Sequence, residues 1–456
     1  MILKLLLPLA MLCVTPNIFS QTPEQSYFEW TSLPFSKEEL TKRRTDFLHL
    51  LKERKAKGLV LIPSRDGISH GETFRQLDDF YYFTGLELPN SVFVLDIKNN
   101  WWAVYGPEKD LRFVSESRPN DFPGRPLISD PQIATKAGIS LRGMEEFEAL
   151  MTEKARQGAT ILVNNGRREG AVLKSWDYTE NPTPVQIMAN ALNDKHKGFR
   201  FKNCHTDIAK LRMQKSASEI ALMRKSTAIN VKAIKAAARE IRSGVDERYL
   251  EGILEGNYKL NGANRLAFGS IVKSGPNALW PWRILATHYD RRNRKLENGD
   301  LVIFDVGCEY KYYVSDVGRT FPVSGKFSTR QREILNMEVS IADALIDYIK
   351  PGITFAELRD LAYHTIPENE KKYMQTNLFF GHHLGLSTGD PNLPEVELKA
   401  GMVFTVEPWY YNHDEQISVF TEDVILVTED GCEVLSKDLP RTPEDLEKLM
   451  HPESDY

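Results

Sequence analysis

Four of the most apolar strand-like runs in this chain each carry a carboxylate: Asp305 in "LVIFDVG", Asp316 in "YYVSDVGRTFPV", Glu407 at the end of "MVFTVE" and Glu422 in "SVFTEDVIL". An ionised acid buried without a partner is costly. A fold that buries these runs must bring their acids to a common partner or turn each one to solvent. Asp305 and Asp316 lie eleven positions apart around a tight connection near Tyr310 and Lys311. A hairpin centred there pairs residue 304 with 317 and sets Asp305 directly opposite Asp316, with Cβ atoms about 5 Å apart. Two carboxylates that close repel, and one keeps its proton unless a cation joins them. Hard divalent cations favour carboxylate oxygen. His382, in "FFGHHLGL", adds an imidazole in a glycine-rich setting. Four carboxylates and one imidazole suit two ions ~3.5–4 Å apart, the arrangement of two-metal hydrolytic sites.

Each residue taken alone has a plainer reading. An Asp at a strand end commonly caps a turn. Glu422 beside Asp423 is then an ordinary edge acid, and His382 a satisfied core histidine. The argument for metal rests on the set.

The chain has 456 residues, enough for two or three domains. Its formal charge is −5 with no strong basic block, which makes nucleic acid a poor partner. The N-terminus has Lys4, the apolar run Leu5 to Val14, and then small residues. This is the pattern of a secretory signal peptide, residues 1–20, with cleavage after Ser20. The run is much shorter than the ~20 residues that span a bilayer, so no membrane anchor is expected. Bulky Leu12 makes Cys13 a poor lipid-attachment site. The remaining cysteines, Cys204, Cys308 and Cys432, are too few and too scattered for a disulfide framework or a cysteine zinc site. Buried free thiols are expected, with one bridge as the alternative.

Residues 37–57 read as a charged amphipathic helix, and "GLVLIP" (58–63) as a buried strand. "DDFYYFTGL" (78–86), "SVFVLDI" (91–97), "WWAVYG" (101–106) and "TILVNN" (160–165) read as further strands of one α/β unit. A second region opens near residue 206. Ser216 and Ser218 can cap a long helix with Glu219 in its first turn, and a second helix runs to Gly262. Further helices are expected over 329–349 and 354–366, among the acid-bearing strands. Strands and helices in runs indicate α+β packing around an antiparallel sheet.

These segments resemble the pita-bread metallopeptidase family, which includes methionine aminopeptidase, Xaa-Pro aminopeptidase (aminopeptidase P) and prolidase. "GDLVIFDVGCEYKYYVSDVGRTFPVSGKF" is similar to the aminopeptidase P segment that bears its two metal aspartates. "GHHLG" resembles the metal-histidine loop, and "MVFTVEPWYY" and "TEDVILVTEDG" the two metal-glutamate strands. "FRQLDDFYYFTGLELPNSVFVL" (74–95) is similar to the aminopeptidase P N-terminal domain. The resemblance runs from about residue 35 to 440 and implies a two-domain fold. An aminopeptidase P or creatinase-like α/β domain (28–205) precedes a pita-bread catalytic domain (206–440), with 441–456 as a tail.

It also implies a site. Asp305 would bind one metal, His382 and Glu407 the other, and Asp316 and Glu422 would bridge the pair. The ions would most often be Mn²⁺. Glu407 would be general base and then proton donor, and His288 would bond the substrate or its oxyanion. The activity implied is removal of the N-terminal residue from short peptides with proline second, by a secreted or periplasmic enzyme, often a homo-oligomer. Two positions depart from the family: Gly389 stands where a second catalytic histidine is usual, and Phe420 where aminopeptidase P has an arginine. These favour, as alternatives, a non-catalytic metal-binding or scaffold homologue, or a prolidase-like dipeptidase. Arg283, in an extra stretch, is a candidate replacement cation. Otherwise Trp280, Pro281 and Trp282 simply pack a longer loop. His383 is a candidate helper or a pocket wall, and Trp409 and Tyr410 are pocket walls or core.

Overall fold

The computed structural model describes residues 33–67, 73–107, 128, 131–166, 183–280, 293–374 and 381–451. The expected signal peptide, His288 and Arg283 lie outside them.

The first unit is a six-stranded sheet. Helix α1 (Lys37–Glu53) leads into strand β1 (Leu59–Pro63), and the short helix α2 (Asp78–Thr84) into β2 (Val92–Asp96) and β3 (Trp101–Gly106). Strands β4 (Ser140–Gly143), β5 (Thr160–Val163) and β6 (Arg200–Asn203) complete the sheet in the order β4-β3-β2-β1-β5-β6. β1 pairs antiparallel with β2 and parallel with β5. β1 and β2 are buried on both faces, which is why they read as continuous apolar runs.

One expected strand is a helix. Residues 78–84 coil into α2 because Asp78 and Asp79 sit at its positive N-terminal end and Gly85 ends it with φ 67°. Phe80, Tyr81, Tyr82 and Phe83 are all buried. Burial all round removes the periodicity that would have marked a helix, and the aromatic residues resemble strand composition.

The second unit begins with α3 (His205–Met213) and α4 (Ala217–Ala238). Of the two expected caps, Ser216 caps α4, in a reciprocal capping box with Glu219. Helix α5 (Glu247–Leu260) packs on α4, and among the described residues the strands that follow pair antiparallel. They include β7 (Arg265–Leu266), β8 (Ile271–Ser274), β9 (Leu301–Val306), β10 (Cys308–Tyr310), β11 (Tyr313–Val314) and β12 (Val317–Pro322). After α6 (Thr329–Tyr348) and α7 (Phe355–Thr365) come β13 (Val403–Val406), β14 (Trp409–Asn412), β15 (Ile417–Phe420) and β16 (Asp423–Val427).

Part of the segment read as a tail is ordered. Pro443–Met450 forms helix α8, with Thr442 as its cap and Leu446 and Met450 buried. One hydrophobic core runs from Phe35 through Met213 and Phe404 to Met450, across both units. Cys204 and Cys308 are buried free thiols and Cys432 is partly exposed. No helix among the described residues is long and apolar enough to cross a membrane.

Candidate metal centre

β9 and β12 form the expected hairpin in a different register. Lys311 and Tyr312, at φ 48° and 76°, make the two-residue turn, so Tyr310 pairs with Tyr313 and Asp305 with Gly318. Asp305 and Asp316 are therefore diagonal neighbours rather than opposite ones. The displacement is two residues, which keeps both acids on one face of the ladder. Asp316 sits in the break between β11 and β12, with its backbone free of the ladder.

The other three residues arrive from separate elements. Glu422 is locked to Gly318 by reciprocal backbone bonds of 3.3 and 3.0 Å. Fully buried Arg319 tightens this join, donating to Glu422 O at 2.5 Å, Asp423 Oδ1 at 2.7 Å and Pro440 O at 2.8 Å. Thr405 couples His382 to Glu407. Its hydroxyl accepts from His382 N at 3.2 Å and donates to Glu407 Oε1 at 3.0 Å, while its own N–H donates to His382 O at 3.0 Å.

The result is a single cluster. Ligand atoms of Asp316, His382 and Glu422 lie within 4.8 Å of one another. His382 Nε2 is 3.5 Å from both Asp316 Oδ2 and Glu407 Oε1. Its Nδ1 lies 3.4 Å from the His383 carbonyl, which can only accept. With the proton on Nδ1, Nε2 turns a lone pair toward the carboxylate oxygens, as a metal ligand must. Asp316 Oδ1 and Glu422 Oε2 are buried with no hydrogen-bond partner. Acceptors facing acceptors in a buried site fit a cation.

The electrostatics agree. Burial, reinforced by the Glu407 charge, holds the Asp305 carboxyl well above the usual carboxylate range. Burial, then Asp305 and Glu407, does the same to Asp316. Glu422 is raised by burial and by Asp316 and Glu407. Burial pushes Glu407 up to about 8 against the hydrogen bond from Thr405. Burial lowers His382, keeping its imidazole neutral.

The comparisons with known proteins decide the family. The family model described as Metallopeptidase family M24 matches residues 221–429, and that of the Aminopeptidase P N-terminal domain matches residues 40–113. An Xaa-Pro dipeptidase from Pyrococcus furiosus is 34% identical over 257 residues, covering 55% of this chain and 70% of that protein. The chain belongs to metallopeptidase family M24. The Escherichia coli Xaa-Pro aminopeptidase is 26% identical over 458 residues, 91% of this chain and 98% of that one. A solved structure of zinc-substituted E. coli aminopeptidase P with product superposes with a TM-score of 0.72 at 25% identity, over 91% of this chain and 98% of that one. The architecture is thus an aminopeptidase P-type N-terminal domain followed by a pita-bread domain.

For an M24 chain the two departures have structural consequences. Phe420 is fully buried, stacked on Trp409 at 4.0 Å between ring centroids and packed with Ala278 and Ile303. Its ring lies so close to Gly318 that a Cβ there would be 2.1 Å away. An aromatic plate therefore fills the position where the resemblance to aminopeptidase P implied an arginine. Around Gly389 no heavy atom lies within 4 Å of where a Cβ would be, so the space for a side chain remains.

Other candidates resolve differently. His383 is buried against Phe355 and Phe404, with neither ring nitrogen hydrogen-bonded, and burial keeps it neutral. Trp409 and Tyr410 are both buried. Tyr410 donates to Glu370 at 2.8 Å, away from the acids. Trp280 lies tilted against His413, with ring centroids 4.6 Å apart. Arg319 was missed at the sequence level. Its signal was available, because an arginine inside the apolar strand "VGRTFPV" is the same anomaly as an aspartate there.

Proposed function

We propose that this chain is a dinuclear metal-dependent aminopeptidase of the aminopeptidase P type, removing the N-terminal residue from short peptides with proline in second place. One observation carries the reading: the buried Asp316–His382–Glu422 cluster, with an oxygen of each acid left unpartnered. Asp305 on one side, His382 and Glu407 on the other, and Asp316 and Glu422 between them would hold two divalent ions, expected to be Mn²⁺. Such a pair supplies an acidified water as nucleophile.

The chain's own residues supply the proton handling. Glu407 would take a proton from the attacking water and return it to the leaving amine. The Thr405 hydroxyl fixes its Oε1 and orients the second oxygen. His288 would bond the scissile carbonyl as charge develops. Arg319 holds Glu422 against Gly318 so that the bridging acid cannot swing away. The stack of Phe420 on Trp409 would replace a cation with buried apolar packing behind the acids. A proline amide resists most peptidases, and the N-terminal domain would narrow the cleft to short peptides. The reading includes export, with the mature chain beginning at Gln21, and assembly into homo-oligomers.

The test uses the chain from Gln21 with Mn²⁺ and a mixture of Xaa-Pro-Yaa, Xaa-Ala-Yaa and Xaa-Pro peptides, with products read by mass spectrometry. Loss of one N-terminal residue from Xaa-Pro-Yaa, absent in Asp316→Ala, is the expected result. Cleavage of Xaa-Pro alone would make the enzyme a dipeptidase. No cleavage by a metal-loaded wild type would leave a binding protein.

A further inference from the structure

Asp305 and Asp316 come from the β9–β12 hairpin and His382 from the loop 381–390, and one side chain from the N-terminal domain touches both pieces. Arg75 Nε is 2.7 Å from Glu309 Oε2, on β10 between Asp305 and Asp316. Its Nη2 donates to Leu386 O, four residues beyond His382. Its Nη1 is 2.7 Å from Asp78 Oδ1, at the start of α2. A guanidinium makes three such bonds from one planar fork, which an ammonium cannot.

Neighbours of Arg75 grip the same two pieces. Tyr312, in the hairpin turn, has φ 76°, a conformation a bulky side chain rarely adopts. Such a conformation persists only where its surroundings enforce it. Here Tyr81 stacks on the Tyr312 ring at 3.7 Å, Arg75 lies over it at 5.2 Å, and its hydroxyl donates to Glu87 at 2.5 Å and accepts from Gln76 N at 3.0 Å. At the other end of the loop Asp390 is held by Arg212 at 2.5 Å and Lys215 at 3.3 Å. Arg212 also reaches Asp79 at 2.8 Å and Asp78 at 3.2 Å. With Arg265 on Glu309 at 3.1 Å, four cations face four carboxylates in one connected group. Val314 N donates to Gly385 O at 2.9 Å, so hairpin and loop also meet directly beneath it.

We propose that the segment Arg75–Glu87 is a brace that sets the spacing of the metal ligands, and that Arg75 is its central positioning residue. The N-terminal domain then does more than narrow the cleft: it completes the metal centre. None of the side chains Arg75 bonds is a candidate metal ligand. Arg75 acts through Glu309 and Leu386. The inference rests on reading the Asp316–His382–Glu422 cluster as a metal site, and is independent of which peptide is cut.

The experiment is a Mn²⁺ titration of the full metal-free chain by calorimetry, beside its thermal midpoint. Arg75→Lys and Glu309→Gln are expected to lose about tenfold in Mn²⁺ affinity, the scale seen when a ligand's supporting contact is removed. Arg75→Met is expected to lose more, with Arg75→Lys a partial rescue. Lys195→Ala, which breaks an ion pair with Glu148 in the N-terminal domain, is expected to bind as wild type. If Arg75→Met does not fold, Tyr81→Leu tests the brace without touching its charges and should also weaken binding. Wild-type Mn²⁺ affinity in the folded Arg75 and Tyr81 variants would overturn the brace. A wild type that takes no Mn²⁺ would instead overturn the metal reading, and the brace with it.

Discussion

Glu407 and its neighbours make the metal-free protein a compromise at the residue scale. Four carboxyls with raised values are held in one buried site. A folded-state value above the unfolded one means that the native chain binds more protons in the interval between them. Stability then falls as pH rises through that interval. For Glu407 the interval runs from 4.5 to about 8. The thermal midpoint of the metal-stripped chain should therefore drop between pH 5 and 8, and Asp316→Asn should flatten the drop. A divalent ion takes the place of the protons, so binding releases them and tightens with pH. With Mn²⁺ in excess the drop should disappear. A metal-free midpoint that rises over this range would contradict the arrangement of the four acids. The acids themselves were legible in the sequence because a carboxylate inside an apolar run is anomalous wherever the strand goes. The roles of Thr405 and Arg319 were not, since each depends on a partner distant in the chain.

At the scale of elements, the chain records which segments are strands better than how they meet. "LVIFDVG" and "MVFTVE" could be read because burial on both faces leaves unbroken apolar runs. The hairpin register was not readable, because its turn is Lys311–Tyr312 and neither residue is one that a left-handed turn normally selects. Helix α2 was hidden by its four consecutive aromatic residues, and α8 by the habit of treating a terminus as a tail, although Thr442-Pro443 announces it. The join between β12 and β16 provides a direct test. Gly318→Ala would place a methyl 2.1 Å from the Phe420 ring, itself wedged against Trp409. The ring cannot retreat, so Gly318 and Glu422 must part. A loss of about 1–3 kcal/mol is expected, read by urea unfolding, together with weaker Mn²⁺ binding. Gly389→Ala, in open space, should change stability by less than about 0.5 kcal/mol.

At the scale of the whole molecule, two sequence domains share one structural fate. Their sheets are separate, yet a single apolar core crosses between them. The interface also carries buried ions. Buried Glu309 and Arg212 meet Arg75, Asp78 and Asp79 across it, and parting the domains would break these pairs. Neither half can therefore unfold while the other keeps its native surface. Calorimetry of the full chain should show one transition, whose van't Hoff and calorimetric enthalpies agree if no intermediate is populated. The effect of metal sharpens this. Mn²⁺ at 100 times its dissociation constant stabilises the native state by about 2.7 kcal/mol. If the halves were independent, that increment would move one of two transitions and leave the other in place. With a shared core and a brace from the N-terminal domain gripping the ligand loops, Mn²⁺ should move the entire transition. Near-ultraviolet circular dichroism would report the same shift in Trp101 and Trp102 of the N-terminal sheet as in Trp409 beside the acids. Tryptophan-specific probes that melt at different temperatures, or only one of which responds to metal, would separate the domains and remove the physical basis for a metal centre completed by both.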